Sequence, residues 1–63
     1  MKFIRINDIR NLVNRYVFID KITNIYSLLD ETYIYLQCGN VVVTDESVSD
    51  VFEKIERCDK SEP

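Results

Sequence analysis

The stretch Tyr33-Ile34-Tyr35-Leu36-Gln37-Cys38-Gly39-Asn40-Val41-Val42-Val43-Thr44 decides the fold. It reads as a β-hairpin, because two β-branched and aromatic runs flank a Gly-Asn pair that suits a two-residue turn. That turn pairs Cys38 with Val41, Leu36 with Val43 and Tyr35 with Thr44. Side chains alternate faces along a strand. Ile34, Leu36, Cys38, Val41 and Val43 then share one face, and Tyr33, Tyr35, Gln37, Val42 and Thr44 share the other. The first face suits the core of a small domain. The second is a candidate interface, since it offers two tyrosines and a valine that a short chain has little material to cover.

Downstream of the hairpin the period changes from two to 3.6. Val48, Val51, Phe52 and Ile55 stand at i, i+3, i+4 and i+7, with Cys58 extending the stripe, so a helix is predicted. Asp45, Glu46 or Ser47 can cap its start. Asp50–Lys54, Glu53–Arg57 and Glu56–Lys60 are acid-to-base pairs at i, i+4 on its solvent side. The helix stripe is expected to cover the Ile34/Leu36/Val41/Val43 face.

Upstream, residues 2–6 read as a short strand with Ile4 and Ile6 on one side and Phe3 and Arg5 on the other. Asn7-Asp8 is a turn candidate. Residues 9–15 read as irregular, Tyr16–Ile19 as a strand and Asp20-Lys21 as a break. Residues 22–29 admit two readings. Ile22, Ile25, Tyr26 and Leu29 fit helical spacing, yet the residue types favour a strand that turns back at Asp30-Glu31. The strand is preferred. The expected architecture is α+β: an antiparallel meander of about four strands with one C-terminal helix on one face. It forms a single domain over residues 1–58, with 59–63 a frayed tail.

Composition narrows the function classes. A chain of 63 residues supports one small core. Chains of this size lean on disulfides, metals or oligomerisation. Met1–Ile6 is too short and too charged to read as a leader. The expectation is a cytoplasmic protein with Cys38 and Cys58 reduced. No histidine occurs, and the two cysteines lack the paired spacing of a zinc site, so neither metal nor cofactor is expected. The same lack of histidine removes the usual general base, and no phosphate-cradling glycine loop is present, so the chain does not read as an enzyme. No apolar run is long enough to enter a bilayer as a spanning helix. Oligomerisation is the remaining aid to stability, with a homodimer favoured.

Residues 1–27 carry five basic and two acidic side chains, and residues 28–63 carry three basic and nine acidic. The net charge of −3 thus divides into +3 and −6. Arg5, Arg10, Arg15 and Lys21 form a candidate basic patch interleaved with Phe3, Tyr16 and Phe18, a combination that grips backbone and stacks bases. The acidic balance of the whole chain argues against nucleic acid as partner.

Three segments carry a family likeness. They are Val17-x-Ile19-Asp20-x-Ile22-x-x-Ile25, Asp30-x-Thr32-x-Ile34-x-Leu36 before Gly39, and Val43-x-x-Glu46-Ser47-Val48-x-x-Val51. The chain resembles the small bacterial flagellar accessory proteins of the FlbD type, and similar short β-rich proteins of phages and mobile elements. The resemblance implies a non-enzymatic role. The leading expectation is an interaction module, homo-oligomeric, that binds another protein, with a phage or mobile-element inhibitor of a host protein as its most specific form. A flagellar accessory or regulatory factor, and a nucleic-acid binder through the basic half, are the alternatives.

Overall fold

The computed structural model describes residues 2–61, with side chains described as far as Arg57. The architecture is α+β. Five strands run in the order β1 (Phe3–Asp8), β2 (Val13–Phe18), β3 (Ile22–Leu28), β4 (Glu31–Leu36) and β5 (Val41–Thr44), and a helix α1 (Val48–Ser61) follows. The strands divide into two antiparallel sheets, β1-β2 and β3-β4-β5. A 3-10 turn at Ile19–Lys21 joins them, at the break expected from Asp20-Lys21.

One core serves both sheets and the helix. Ile4, Ile6 and Val17 come from the first sheet, Ile34 and Val42 from the second, and Val51 from α1, all at most 4% exposed. Ile19, Ile22, Ile25, Leu36 and Ile55 pack around them. Each aliphatic side chain taken out of water contributes about 1.5–3 kcal/mol before entropy is set against it.

The strand preferred for residues 22–29 is present, and its helix-like spacing has a physical origin. Ile22 and Ile25 differ by an odd number of positions and would normally point to opposite faces. The pairing slips between Ile22↔Leu36 and Asn24↔Tyr35, which is a β-bulge. One extra residue restores the parity, so both isoleucines reach the core.

The β4–β5 register corrects the expectation drawn from the sequence. The observed partners are Thr32↔Thr44, Tyr33↔Val43, Ile34↔Val42 and Tyr35↔Val41. The chain does not reverse at Gly39-Asn40 alone. Gly39 N–H donates to the Leu36 carbonyl at 3.0 Å, and Leu36 N–H donates to Asn40 at 2.9 Å. Gln37, Cys38 and Gly39 therefore form a three-residue loop, with Gly39 at φ +94° in the position that closes it. This displaces the pairing by an odd number of residues and turns β5 over relative to β4. Val42 and Thr44 face the core, while Val41 and Val43 share a side with Tyr33 and Tyr35, where Val43 is buried as expected, at 1% exposed. Ile34 and Val42 accordingly share the core cluster with Val51 of α1, while the helix itself lies mainly against β1 and β3.

Other boundaries moved for local reasons. β1 continues through the expected Asn7-Asp8 turn, and the reversal falls at 9–12. Part of the segment read as irregular, from Val13, belongs to β2. The β3–β4 loop is Leu29-Asp30, with Leu28 opposite Glu31. Ser47 supplies the helix cap, its Oγ accepting from Asp50 N–H at 3.1 Å. Glu53 pairs with Arg57 at 3.5 Å. Lys54 does not turn to Asp50: it pairs with Glu46 Oε1 at 2.6 Å and donates to the Arg5 carbonyl at 2.7 Å. The expected side-chain roles of Cys58 and Lys60 lie outside the described residues. The helical backbone runs through Ser61, and the rest of the tail drawn from residue 59 lies outside them too.

Two leucines adopt the left-handed backbone region, Leu12 at φ 58° and Leu29 at φ 55°. Their side chains are 86% and 91% exposed, so almost no burial offsets the strain. Opposite outcomes are expected at the two kinds of loop. Gly39→Ala meets no neighbouring atom, yet costs about 1–2 kcal/mol because a Cβ is strained at that φ. Leu29→Asn gains about 1 kcal/mol and raises Tm by about 4–8 °C. Thermal and denaturant unfolding check both, and a stabilising Gly39→Ala would refute the loop geometry.

Candidate functional site

The tyrosine face is largely occupied by its own neighbours. Tyr26 stacks on Tyr33 with ring centres 5.3 Å apart and planes at 10°. It also stacks on Tyr35 at 5.7 Å and 23°. The Arg10 guanidinium sits 5.7 Å above the Tyr33 ring. Tyr33 donates its hydroxyl hydrogen to Glu31 at 3.0 Å, and the Tyr26 and Tyr35 hydroxyls lie 3.3 Å apart. That hydroxyl pair raises the Tyr26 phenol above its ordinary pKa. Of the five residues expected on an open face, Tyr33 and Tyr35 are half-buried under this arrangement and Gln37 is exposed. Val42 and Thr44 are corrected to the interior, at 2% and 0% exposed, because of the register described above.

The four basic residues do not form one patch, although Arg15 and Lys21 both line the cleft beside β2. Arg5 lies on the outer face of the first sheet, opposite Tyr16. Arg15 lies on the inner face, opposite Ile6, and its Nε is bound to Asp8. Arg10 is committed to Tyr33, and Lys21 ends the 3-10 turn.

Asp8, a turn candidate in the sequence, is buried in the structure. It is 1% exposed and sits on the core-facing side of β1. Its Oδ1 accepts from Arg10 N–H at 3.0 Å and Asn11 N–H at 3.1 Å. Its Oδ2 accepts from Asn11 Nδ2 at 2.9 Å and from Arg15 Nε. The buried carboxylate thus shapes the β1–β2 loop and ties it to β2. Hydrogen bonds from Asn11 and from Arg15 outweigh desolvation and hold its pKa down at about 2. An Asp placed two and three residues before the N–H groups that bond to it is a legible turn signal, but its burial was not.

The exposed aromatic surface lies elsewhere. Phe3, Tyr16 and Phe18 share the outer face of β1-β2, with Phe3 opposite Phe18. Phe3 meets Tyr16 edge-on at 5.8 Å and Phe18 edge-on at 6.1 Å. They are 49%, 62% and 43% exposed. Beside them an open cleft of about 1190 Å³ runs between β2 and the β4–β5 hairpin tip. Among the described residues no group of three or more His, Cys, Asp or Glu is placed to hold a metal ion. Among the same residues no helix is long and apolar enough to cross a membrane.

Fold and surface define a small two-sheet α+β chain with one helix and an aromatic sheet face. Comparison with family models, curated proteins and solved structures finds no match to it.

Loss of the Asp8 contacts is expected to be costly. Asp8→Ala leaves two backbone N–H groups and the Arg15 guanidinium without their acceptor, on the order of 2–4 kcal/mol. The sign of the pH effect follows from the depressed pKa. Unfolded Asp8 titrates near 3.8 and folded Asp8 near 2, so its contribution is complete above about 4 and is lost as pH falls towards 2. Denaturant unfolding of wild type and Asp8→Ala at pH 7 and pH 2.5 checks this. The difference between them shrinks at the lower pH, and an unchanged difference contradicts the assignment.

Proposed function

We propose that the protein is a non-enzymatic interaction module that acts by binding another protein through the outer face of β1-β2. The observation that carries this is the contiguous Phe3/Tyr16/Phe18 cluster, large rings left half in water on a chain with little core to spare. Aromatic side chains of this kind are enriched at interfaces, where they bury much area at small entropic cost. The homodimer favoured from chain size belongs to the same reading, with a second copy as one occupant of that face. Nucleic acid is a weaker occupant. Of the four basic residues, Arg5 is the one that shares the face with the rings, and a base-stacking surface needs several cations along the strand it grips.

A photo-crosslinking amino acid placed at Tyr16, with a control at exposed Asp20, tests the reading in the cells that encode the protein. The expected result is an adduct with a defined protein from position 16 and none from position 20. An adduct of twice the chain's mass assigns the face to self-association. Equal or absent crosslinking at both positions overturns the proposal.

A further inference from the structure

The two edges of the first sheet are treated differently. β1 turns its outer edge towards the rest of the molecule, and two groups on it and one just past its end are satisfied. Ile9 N–H donates to Val43 at 2.9 Å, Asn7 N–H donates to Glu46 Oε2 at 3.3 Å, and the Arg5 carbonyl accepts from Lys54. In an antiparallel ladder, residues alternate between those bonded to the partner strand and those facing outward. On β1 the outward set is therefore the odd-numbered residues. Their partners Asn14, Tyr16 and Phe18 are the outward set on β2. β2 has β1 as its single strand neighbour, so this second edge presents its N–H and C=O groups to the cleft.

The opposite wall of the cleft repeats the arrangement. Leu36 and Asn40 are bonded across the hairpin, which makes Val41 and Val43 the outward residues of β5 by the same alternation. Val43 has given its carbonyl to Ile9. Val41 opens on the cleft. The cleft is thus bordered by an edge of each sheet, the two not bonded to each other, and is lined as well by the core-side residues Val17, Leu36 and Val42. An exposed edge of this kind is a template for a further strand. β2 carries one of the usual protections, the inward charge of Arg15, but no Pro and no Lys between Val13 and Phe18.

We infer that the cleft takes up an extended acidic segment of a partner protein, added as a strand along the β2 edge. The inference rests on the protein-binding reading above and specifies its site and ligand. Two observations select the occupant. A second copy adding its own β2 edge would bring another Arg15 and Lys21 to a cleft already lined by these two cations, whereas an isolated extended peptide of opposite charge would not. The charged residues lining the cleft are Arg15 and Lys21, with no carboxylate among the lining residues, although the chain as a whole carries −3. Arg15 is partly engaged by Asp8 through Nε, and Lys21 stands at the mouth where the 3-10 turn meets Gln37. Alternate residues of the added strand fall beside Tyr16 and Phe18 on one face and beside Val13, Arg15 and Val17 on the other. The ligand chemistry is therefore a period-two peptide, apolar or aromatic on one side and carrying a carboxylate opposite Arg15 between apolar residues on the other.

Selection of a displayed library of random dodecapeptides on the full chain tests this. The winning peptides are then titrated into isotope-labelled protein. The expected result is enrichment of Asp and Glu over the input library, with an acid opposite Arg15. The bound peptide shifts the amides of Asn14, Tyr16 and Phe18 and slows their solvent exchange. Lys21→Glu, an exposed change, weakens binding about tenfold or more, equivalent to about 1.4 kcal/mol. Asn14→Pro removes an outward N–H without touching the β1–β2 ladder and weakens it likewise. Selected peptides without acidic enrichment, shifts confined to the tyrosine face or the aromatic face, or no enrichment at all each overturn the cleft assignment. Shifts on the aromatic face alone would leave the protein-binding reading standing and remove only this site. Failure of the crosslinking at Tyr16 together with no selected peptide would remove both.

Discussion

The outward character of this molecule depends on where the chain reverses between β4 and β5. A strand has two faces, so an odd shift in pairing exchanges all of its side chains between core and water. Gly39 supplies the one backbone conformation that lets Gln37, Cys38 and Gly39 close the hairpin as three residues. Val42 then completes the core beside Ile34, and Thr44 is drawn inside opposite Thr32. The buried threonines are satisfied where β5 leads towards the helix. Thr32 donates its hydroxyl hydrogen to the Glu46 carbonyl at 2.6 Å, and Thr44 Oγ1 accepts from Glu46 N–H at 3.2 Å. Two polar residues can occupy the interior because the segment that follows β5 supplies their partners.

Glu46 is the point where the three layers meet. Its backbone bonds the second sheet, its Oε1 pairs with Lys54 of α1, and its Oε2 accepts from Asn7 of β1. Half-exposed ion pairs of this type contribute little energy alone. Here the pair also satisfies the outer edge of β1, so its structural effect is to close one edge and leave the other, on β2, open. Asp8 completes the asymmetry from the far end of β1 by holding the loop that leads into β2. The aromatic cluster and the open edge are then neighbours on the same strand, which gives a binding partner both a backbone ladder and large rings to cover.

Much of this was legible in the residues, and the boundary is physical. The helix stripe at Val48, Val51 and Ile55 and the strand nature of residues 22–28 follow from period and side-chain shape, which are local properties; Phe52, expected in the same stripe, is instead 50% exposed. The break at Asp20-Lys21 is local too. The β3–β4 loop falls one residue earlier than the Asp30-Glu31 turn, a shift that moves pairing by an even number and so exchanges no faces between Asn24 and Leu28. The β4–β5 loop shifted by an odd number, and so Val42 and Thr44 were assigned to the wrong side. Gly39-Asn40 fits a two-residue turn locally, and only the fit of Ile34 and Val42 to the helix and the first sheet selects the longer loop. Asp8 was read as a turn residue. Its burial depends on Arg15, seven positions away and brought near by the hairpin itself. The division of Tyr33 and Tyr35 from Phe3, Tyr16 and Phe18 into one covered and one exposed surface likewise arises from packing between sheets.

The pairing across the β4–β5 hairpin is the most direct point of attack. Adjacent Hα atoms come close at the non-hydrogen-bonded pairs of an antiparallel ladder. Nuclear Overhauser contacts between the Hα atoms of Tyr35 and Val41, and of Tyr33 and Val43, are the result this account requires. Contacts joining Leu36 to Val43 or Tyr35 to Thr44 would contradict it, returning Val42 to the surface.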